Sequence, residues 1–187
     1  NSQNSQNIHL IGLISEGGVH SHIDHTIKIA QELNSCGKNI YIHAITDGRD
    51  VAPDSARQIL NDLNTKMAHL ENVKLADIIG RFYAMDRDNR CERTDRALDL
   101  YTSEKETASK SICELFDSFY ADKIFDEFIP DVKILPNSHI KANDSIIFTN
   151  FRADRARQLT KELINSNLNL NIATFTQYGE LFNNNVT

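Results

Sequence analysis

Five arginines follow apolar segments that are predicted to be strands, and together they could hold an anion. Arg49 follows one segment, and Arg81 and Arg87 follow another. Arg152 and Arg155 follow a third. Arginine presents a planar fork of N–H donors that fits carboxylate or phosphate bidentately. If these strands share a sheet, their loops converge, and the sequence predicts a site for a small anion with several negative charges.

Arg49 is followed directly by Asp50 in a tight glycine turn. The carboxylate could accept a proton from a hydroxyl group while the guanidinium holds a neighbouring charged group, which suits a hydroxy acid. The alternative is structural, with Asp50 capping a helix that starts at Pro53 or folding an Asx turn. The sequence leaves both roles open.

Arg152 and Arg155 fall at or within the first turn of a predicted helix. The positive end of a helix dipole disfavours cations there. An anion bound at the helix start would offset that repulsion, although Asp154 between the two arginines offsets part of it already.

Three further arginines, Arg90, Arg93 and Arg96, are interpreted as a solvated helix face. Acidic neighbours on the same predicted helix can pair with them. Those neighbours are Glu92, Asp95 and Asp99.

A histidine cluster supports a rival hypothesis. His20, His22, Asp24 and His25 match H-x-H-x-D-H, which resembles the metal motif of metallo-β-lactamase-like hydrolases and could bind zinc or manganese. Such a fold also needs later histidines and a bridging aspartate. The remaining histidines are His43, His69 and His139, in a predicted strand, helix and irregular segment. The other interpretation is that one histidine meets an anion while the others pack or face solvent.

Composition favours one globular domain. The chain has 187 residues, 40% of them apolar, and a net charge of -6, which argues against nucleic-acid binding through a basic face. Three widely spaced cysteines suggest a reducing compartment, and no apolar run is long enough to span a membrane. The absence of an initial Met and the polar ends lead us to expect a domain from a longer protein.

Strand and helix patterns alternate along the chain. They predict an α/β domain with a predominantly parallel or mixed, curled sheet and helices outside. The predicted strands are residues 8–15, 40–45, 73–79, 125–129, 132–135, 145–149 and 168–176. The predicted helices are residues 23–33, 53–67, 109–120 and 153–164, with a further charged helix around Ala97 and Tyr101.

Four segments, in the family's order, resemble the substrate-binding domain of cofactor-independent (2,3-bisphosphoglycerate-independent) phosphoglycerate mutase. The resemblance covers residues 8–178. Its motifs are SEGGVHSH at 15–22, TDGRDVAP at 46–53, GRFYAMDRD at 80–88 and NFRADRA at 150–156. The metallohydrolase hypothesis explains only the first of them.

The resemblance implies the substrate-binding half of a two-domain enzyme of glycolysis and gluconeogenesis, which interconverts 3-phosphoglycerate and 2-phosphoglycerate through a phosphoserine. The serine and two manganese ions would belong to a phosphatase-like domain into which this half is inserted, and no 2,3-bisphosphoglycerate is required. Residues 8–178 would bind phosphoglycerate, while residues 1–7 and 179–187 would be linkers. We expect the chain alone to be inactive and metal-free. The full-length enzyme would be a cytoplasmic monomer, with the phosphatase-like domain on the same polypeptide.

The motifs also imply a set of substrate contacts. They are His20, Arg49, Asp50, Arg81, Arg87, Arg152 and Arg155. The arginines would hold carboxylate and phosphate, while Asp50 would meet the glycerate hydroxyls as the catalytic general acid and base. No metal ligand is implied, and the resemblance gives no role to His22, Asp24 or His25.

Overall fold

The chain folds as a mixed six-stranded sheet with helices on both faces. The computed structural model describes residues 7–179, so most of both predicted linkers lies outside the described residues. The strands are β1 Asn7–Leu13, β2 Asn39–Thr46, β3 Val73–Gly80, β4 Val132–Lys133, β5 Ser145–Phe148 and β6 Asn171–Thr174. The helices are α1 Ile23–Leu33, α2 Ala56–Met67, α3 Arg81–Ala84, α4 Cys91–Thr102, α5 Ile112–Ala121 and α6 Arg157–Asn165. Two 3-10 turns, Asn34–Cys36 and Asp126–Phe128, complete the described elements.

The strand order places the loops that follow β1, β2, β3 and β5 at one edge of the sheet. The order is β4-β3-β2-β1-β5-β6, and all neighbouring pairs are parallel except β3 with β4. The chain therefore builds outward from β1 to β3 and then returns to the other side of β1. Reversals of this kind open a crevice at the carboxyl ends of the strands. The predicted α/β class with a predominantly parallel, mixed sheet is confirmed.

Two apolar cores lie on opposite faces of the sheet. Side chains alternate along each strand, so Leu10 belongs to one core and Ile11 to the other. Helices α1, α2 and α5 cover the first face, while α4 and α6 cover the second. Within the described residues, no helix has the length and apolar character needed to cross a membrane.

A line of buried polar side chains crosses the sheet. Nitrogen atoms of the His9 and His43 rings lie 2.8 Å apart. His9 Nε2 lies 3.1 Å from Asp144 Oδ2, and His43 Nδ1 lies 2.8 Å from Asp77 Oδ2. Lys133 Nζ approaches the same Asp77 oxygen at 3.0 Å. Burial is the main cause that lowers the pKa of His9 from 6.5 to about 4.

The strand predicted at residues 125–129 is wrong, because this segment forms a 3-10 turn. The Asp126 amide donates to the Pro53 carbonyl at 2.9 Å, and its carboxylate accepts the Ala56 amide at 2.7 Å. The Thr46 hydroxyl donates to the Asp126 carbonyl at 2.7 Å. These contacts use the backbone groups of Asp126 that a strand would offer to its neighbour. Helix α2 begins after these contacts, at Ala56 rather than at the predicted Pro53.

Helix α6 begins later than predicted, at Arg157 rather than at Ala153. The Arg152 amide donates to the His20 carbonyl at 3.2 Å, and a single turn joins the Ala153 carbonyl to the Arg157 amide at 3.1 Å. Arg152 and Arg155 therefore precede the helix. The prediction that they lie in its first turn, against the dipole, is wrong.

Candidate functional site

A cavity of about 410 Å³ lies at the carboxyl ends of β2 and β3. Its lining has three more cations than carboxylates, so it favours an anion with several negative charges. The lining arginines are Arg49, Arg81, Arg87, Arg90, Arg93 and Arg155. The lining carboxylates are Asp86, Asp88 and Glu127, and the apolar lining residues are Phe82, Met85 and Phe128.

Asp47 joins the loops that surround this cavity, although the residue is only 1% exposed. Its Oδ1 accepts the amides of Arg49 and Asp50, at 3.2 and 3.0 Å. The same oxygen accepts Arg81 Nη1 at 2.5 Å, while Oδ2 accepts the Ser15 hydroxyl at 2.6 Å. Burial alone would raise the pKa of Asp47, but hydrogen bonds from Ser15, the Asp50 amide and Arg81 lower it below its ordinary value. Asp47 is therefore a charged anchor for the turn after β2.

Asp50 is not a lining residue of the cavity, but it pairs with Arg81, which is one. Arg81 Nη1 lies 2.6 Å from Asp50 Oδ2, and the Asp50 side chain is 19% exposed, against 2% for Arg81. Asp50 is not the turn former, because Asp47 accepts the turn amides. It is also not the cap of α2, because Asp126 reaches the Ala56 amide. Other aspartates therefore perform the two structural roles, turn former and helix cap, that the sequence left open for Asp50.

His20 lies buried between two carboxylates. Its Nε2 is 3.9 Å from Asp50 Oδ2, and its Nδ1 is 3.6 Å from Asp154 Oδ1. Within residues 7–179, His20 Nδ1 has no hydrogen-bond partner. Burial, and then the charge of Arg81, lower the pKa of His20 from its ordinary value. The His20 imidazole therefore lies next to the Asp50–Arg81 pair.

Asp154 holds two arginines at the outer rim of the site. Arg87 Nη1 lies 3.1 Å from Asp154 Oδ2, and Arg152 Nε lies 2.9 Å from Asp154 Oδ1. Burial would raise the pKa of Asp154, but the charges of Arg152 and His20 and a hydrogen bond from Arg87 lower it. Both arginine side chains are 49% exposed. Exposed pairs of this kind contribute little to stability, so an incoming anion can replace the carboxylate.

Arg155 is the arginine most affected by its cationic neighbours. Burial, and then repulsion from Arg87, Arg81 and Arg49, lower the pKa of Arg155 below its ordinary value. Arg155 Nη1 donates to a backbone carbonyl at 3.3 Å, and Arg49 Nη1 lies 3.3 Å from Glu127. The repulsion means that these arginines are close enough to act together on one ligand, whose negative charge would relieve it.

Two glycines bring the turn Asp126–Phe128 against the ends of β2 and β3. Gly48 has a φ of +66°, and a Cβ there would lie 2.8 Å from the Glu127 amide nitrogen. A Cβ on Gly80 would lie 2.4 Å from the Glu127 carbonyl oxygen. The close approach places Glu127 and Phe128 in the lining of the cavity.

Comparisons with known proteins identify the family. The model of the family described as BPG-independent PGAM N-terminus matches residues 1–180. The chain is 43% identical over 182 residues to the 2,3-bisphosphoglycerate-independent phosphoglycerate mutase of Aliarcobacter butzleri, a match that covers 93% of this chain. It is 41% identical over 195 residues to the enzyme of the same name from Clostridium tetani, covering 97% of this chain.

The chain belongs to the BPG-independent PGAM N-terminus family. A crystal structure of Leishmania mexicana phosphoglycerate mutase at low cobalt concentration matches 99% of the chain with a TM-score of 0.89 and 26% identity. The chain spans 37% of the Aliarcobacter enzyme, 38% of the Clostridium enzyme and 38% of the Leishmania chain. It therefore corresponds to little more than a third of its relatives' length.

The fold of this family brings the predicted substrate contacts into one region. Those that line the cavity are Arg49, Arg81, Arg87 and Arg155. Asp50 pairs with Arg81, and His20 lies 3.9 Å from Asp50. Arg152 is outside the lining and connects to it through Asp154.

The arginines expected on a solvated helix face have other partners than predicted. Arg90 and Arg93 pair with Asp86 at 3.2 and 3.3 Å, and Arg96 pairs with Asp131. These partners lie outside α4, so the prediction of pairing along the helix was wrong. Arg90 and Arg93 instead reach the cavity.

The histidine cluster has three different surroundings. His20 lies between carboxylates, whereas the His22 ring accepts the Asp24 amide at 3.3 Å and caps α1. His25 packs against two phenylalanines. Among residues 7–179, no group of three potential ligands is arranged to hold a metal ion. Nothing favours the metallohydrolase hypothesis.

Several residues at the site were not predicted from the sequence, among them Asp47, Asp154, Glu127 and Phe128. Asp47 and Asp154 lie inside the quoted motifs, and a search for carboxylates that balance the predicted arginines would have found them. Glu127 and Phe128 carry no comparable signal, because their segment was predicted to be a strand.

Proposed function

We propose that the chain binds phosphoglycerate for a cofactor-independent phosphoglycerate mutase, an isomerase of glycolysis and gluconeogenesis whose full-length form interconverts 3-phosphoglycerate and 2-phosphoglycerate. The observation that carries this proposal is the cationic cavity in a member of the BPG-independent PGAM N-terminus family. Phosphoglycerate combines a carboxylate with a phosphate of about -1.5 to -2 charge at neutral pH. Both groups are suited to the guanidinium groups of the lining arginines.

In this proposal, the arginines hold the two charged groups of the substrate. Bidentate hydrogen bonds from guanidinium to carboxylate or phosphate fix orientation as well as charge. The repulsion that lowers the pKa of Arg155 supports this role, since a bound anion would remove it. Asp154 and Glu127 pair with arginines in the free chain and would give them up to the substrate.

Asp50 would serve as the general acid and base for the glycerate hydroxyls. When the phosphoryl group leaves one glycerate oxygen, a protonated Asp50 would deliver its proton to that oxygen and become a carboxylate. When the other oxygen attacks the phosphoserine, Asp50 would accept its proton. The partly exposed carboxylate beside Arg81 and His20 supports this assignment. Glycerate held by the arginines between these two steps could turn its other hydroxyl toward the phosphoserine.

The phosphoserine and two manganese ions would belong to a phosphatase-like domain of the full-length protein. The described residues of this chain do not fit such a metal site. Bound metal ions would neutralise charge on the transferring phosphoryl group. Residues 8–178 would form the phosphoglycerate-binding domain, and residues 1–7 and 179–187 would connect it to the rest of the protein, with Asn7 already in β1.

We place the full-length enzyme in the cytoplasm as a monomer. The three cysteines are all free thiols, which agrees with a reducing compartment.

The test is an assay of the full-length protein beside the 187-residue chain alone. We expect the full-length protein to convert 3-phosphoglycerate to 2-phosphoglycerate without added 2,3-bisphosphoglycerate, as followed by phosphorus NMR. Mass spectrometry should detect a phosphoserine outside this chain. The 187-residue chain should show no turnover. A full-length protein that neither binds nor converts phosphoglycerate would overturn the proposal. Turnover by the chain alone would overturn the claim that catalysis requires the phosphatase-like domain.

A further inference from the structure

We propose that Asp47 is a positioning residue, which holds Arg81 and the turn bearing Arg49 and Asp50 in place so that Asp50 is free to leave Arg81 for the substrate. This inference rests on the proposed function, because it concerns how the proposed general acid and base becomes available. Asp47 itself touches no substrate in this scheme and acts through Arg81 and the turn.

The contacts of Asp47 fix three parts of the site relative to one another. Its Oδ1 holds the turn through the amides of Arg49 and Asp50. Its Oδ2 holds the loop after β1 through the Ser15 hydroxyl, whose oxygen in turn accepts the Gly17 amide at 3.1 Å. With four donors on a residue that is 1% exposed, the carboxylate has no room to move without breaking several hydrogen bonds.

Arg81 shares a single nitrogen atom between two carboxylates that differ in freedom. Its Nη1 lies 2.5 Å from Asp47 Oδ1 and 2.6 Å from Asp50 Oδ2. The Asp50 side chain is 19% exposed, whereas that of Asp47 is 1% exposed. When substrate arrives, Asp50 is the partner that can turn away, and Asp47 keeps Arg81 in position.

The charge on Asp47 therefore controls how strongly Arg81 attracts Asp50. The charged or titratable groups facing Asp50 are Arg81 at the start of α3, His20 from the loop after β1, and Asp47 through Arg81. Arg155, before α6, is coupled to Arg81 by repulsion. If Asp47 becomes neutral, the whole charge of Arg81 acts on Asp50, stabilising its carboxylate and making it a weaker base.

The decisive variant is Asp47→Asn in the full-length protein. The amide keeps the size of the side chain and an oxygen for the turn amides, but it removes the charge that competes for Arg81. We expect kcat to fall on the order of tenfold with a smaller change in KM. We also expect the limb of the kcat profile that reports Asp50 to move to lower pH. A loss of structure alone would not move that limb.

Asp62→Asn is the matched control, because it makes the same chemical change on the exposed face of α2, where Asp62 accepts a hydrogen bond from Gln58. It should retain the wild-type kcat and pH profile. A variant Asp47→Asn that matches this control overturns the positioning role while leaving the proposed function intact. An inactive wild-type protein overturns both.

A crystal structure of the wild-type full-length protein with bound 3-phosphoglycerate tests the same inference without any variant, in case Asp47→Asn fails to fold. Arg81 should remain on Asp47 while Asp50 contacts a glycerate hydroxyl. An Arg81 that leaves Asp47 and stays on Asp50 overturns the proposal.

Discussion

Arg152 is a predicted substrate contact that does not line the cavity of the free chain. Its guanidinium pairs with Asp154 and is 49% exposed, so this pair contributes at most about 1 kcal/mol to stability. If Arg152 meets the substrate, Arg152→Ala in the full-length enzyme should lower kcat/KM on the order of tenfold or more, as expected for loss of a charged bidentate contact. Steady-state kinetics in both reaction directions will measure the change.

The control for Arg152 is Arg57→Ala. Arg57 on α2 is also an exposed arginine paired with an aspartate, since its side chain is 45% exposed and lies 3.3 Å from Asp117. The variant Arg57→Ala should leave kcat/KM unchanged. Equal kcat/KM values for the two variants would mean that Arg152 only forms a surface ion pair and does not contact the substrate.

Residue type and position predicted a shared site for Arg49, Arg81, Arg87 and Arg155, but missed Arg90, Arg93 and the carboxylates that organise the site. An arginine just after a strand has few structural uses, so its position is informative. An aspartate in a glycine turn has many uses, and the sequence could not show that Asp47, not Asp50, accepts the turn amides. That choice depends on Arg81, which lies 34 residues away from Asp47 and meets it only in the folded chain.

At the scale of elements, the turn Asp126–Phe128 is held in the site by the absence of a side chain at Gly80. A Cβ at this position would lie 2.4 Å from the Glu127 carbonyl and 2.8 Å from the Ile129 amide nitrogen. Gly80→Ala should therefore push the turn away, destabilise the chain by about 1 to 3 kcal/mol and weaken phosphoglycerate binding. Urea unfolding and calorimetric titration of the full-length enzyme will measure the two effects.

Gly37→Ala separates the close approach at Gly80 from the general cost of replacing a glycine. Gly37 has a φ of +73°, and a Cβ at this position would meet open space. The residue precedes the amino end of β2, away from the cavity. Alanine there should cost about 1 to 2 kcal/mol of backbone strain and leave phosphoglycerate affinity unchanged. If Gly80→Ala also leaves the affinity unchanged, the turn Asp126–Phe128 has no part in binding.

The elements themselves were predictable where periodicity agreed with tertiary contacts. The strands before the arginine loops and the helix Ile23–Leu33 were found from apolar spacing. Residues 125–129 show why other elements could not be predicted from the sequence. Their apolar side chains suit a strand, but Asp126 bonds to Pro53, Ala56 and Thr46, and no local pattern reports those distant partners.

At the scale of the whole molecule, the buried line through His9 couples stability to pH. The pKa of His9 is lowered from 6.5 to about 4, chiefly by burial, so the unfolded chain binds a proton in this range that the folded chain does not. Stability must therefore fall as pH decreases from about 6.5 toward 4. Between pH 7 and pH 5 this residue should account for a loss of about 2 kcal/mol. The pKa of Asp144 is also lowered, but its contribution is lost only at more acidic pH.

Replacement of His9 should remove this dependence while making the chain less stable at neutral pH. We expect His9→Gln to lower the free energy of unfolding at pH 7, because Asp144 and His43 each lose a buried partner. The difference in that free energy between pH 7 and pH 5 should shrink by about 2 kcal/mol relative to wild type, as measured by urea unfolding. His69→Gln, at an exposed position after α2, should keep the wild-type difference. If His9→Gln also keeps the wild-type difference between pH 7 and pH 5, then His9 accepts a proton in the folded wild-type chain. The line of side chains from Asp144 to Lys133 would then adjust to the added charge.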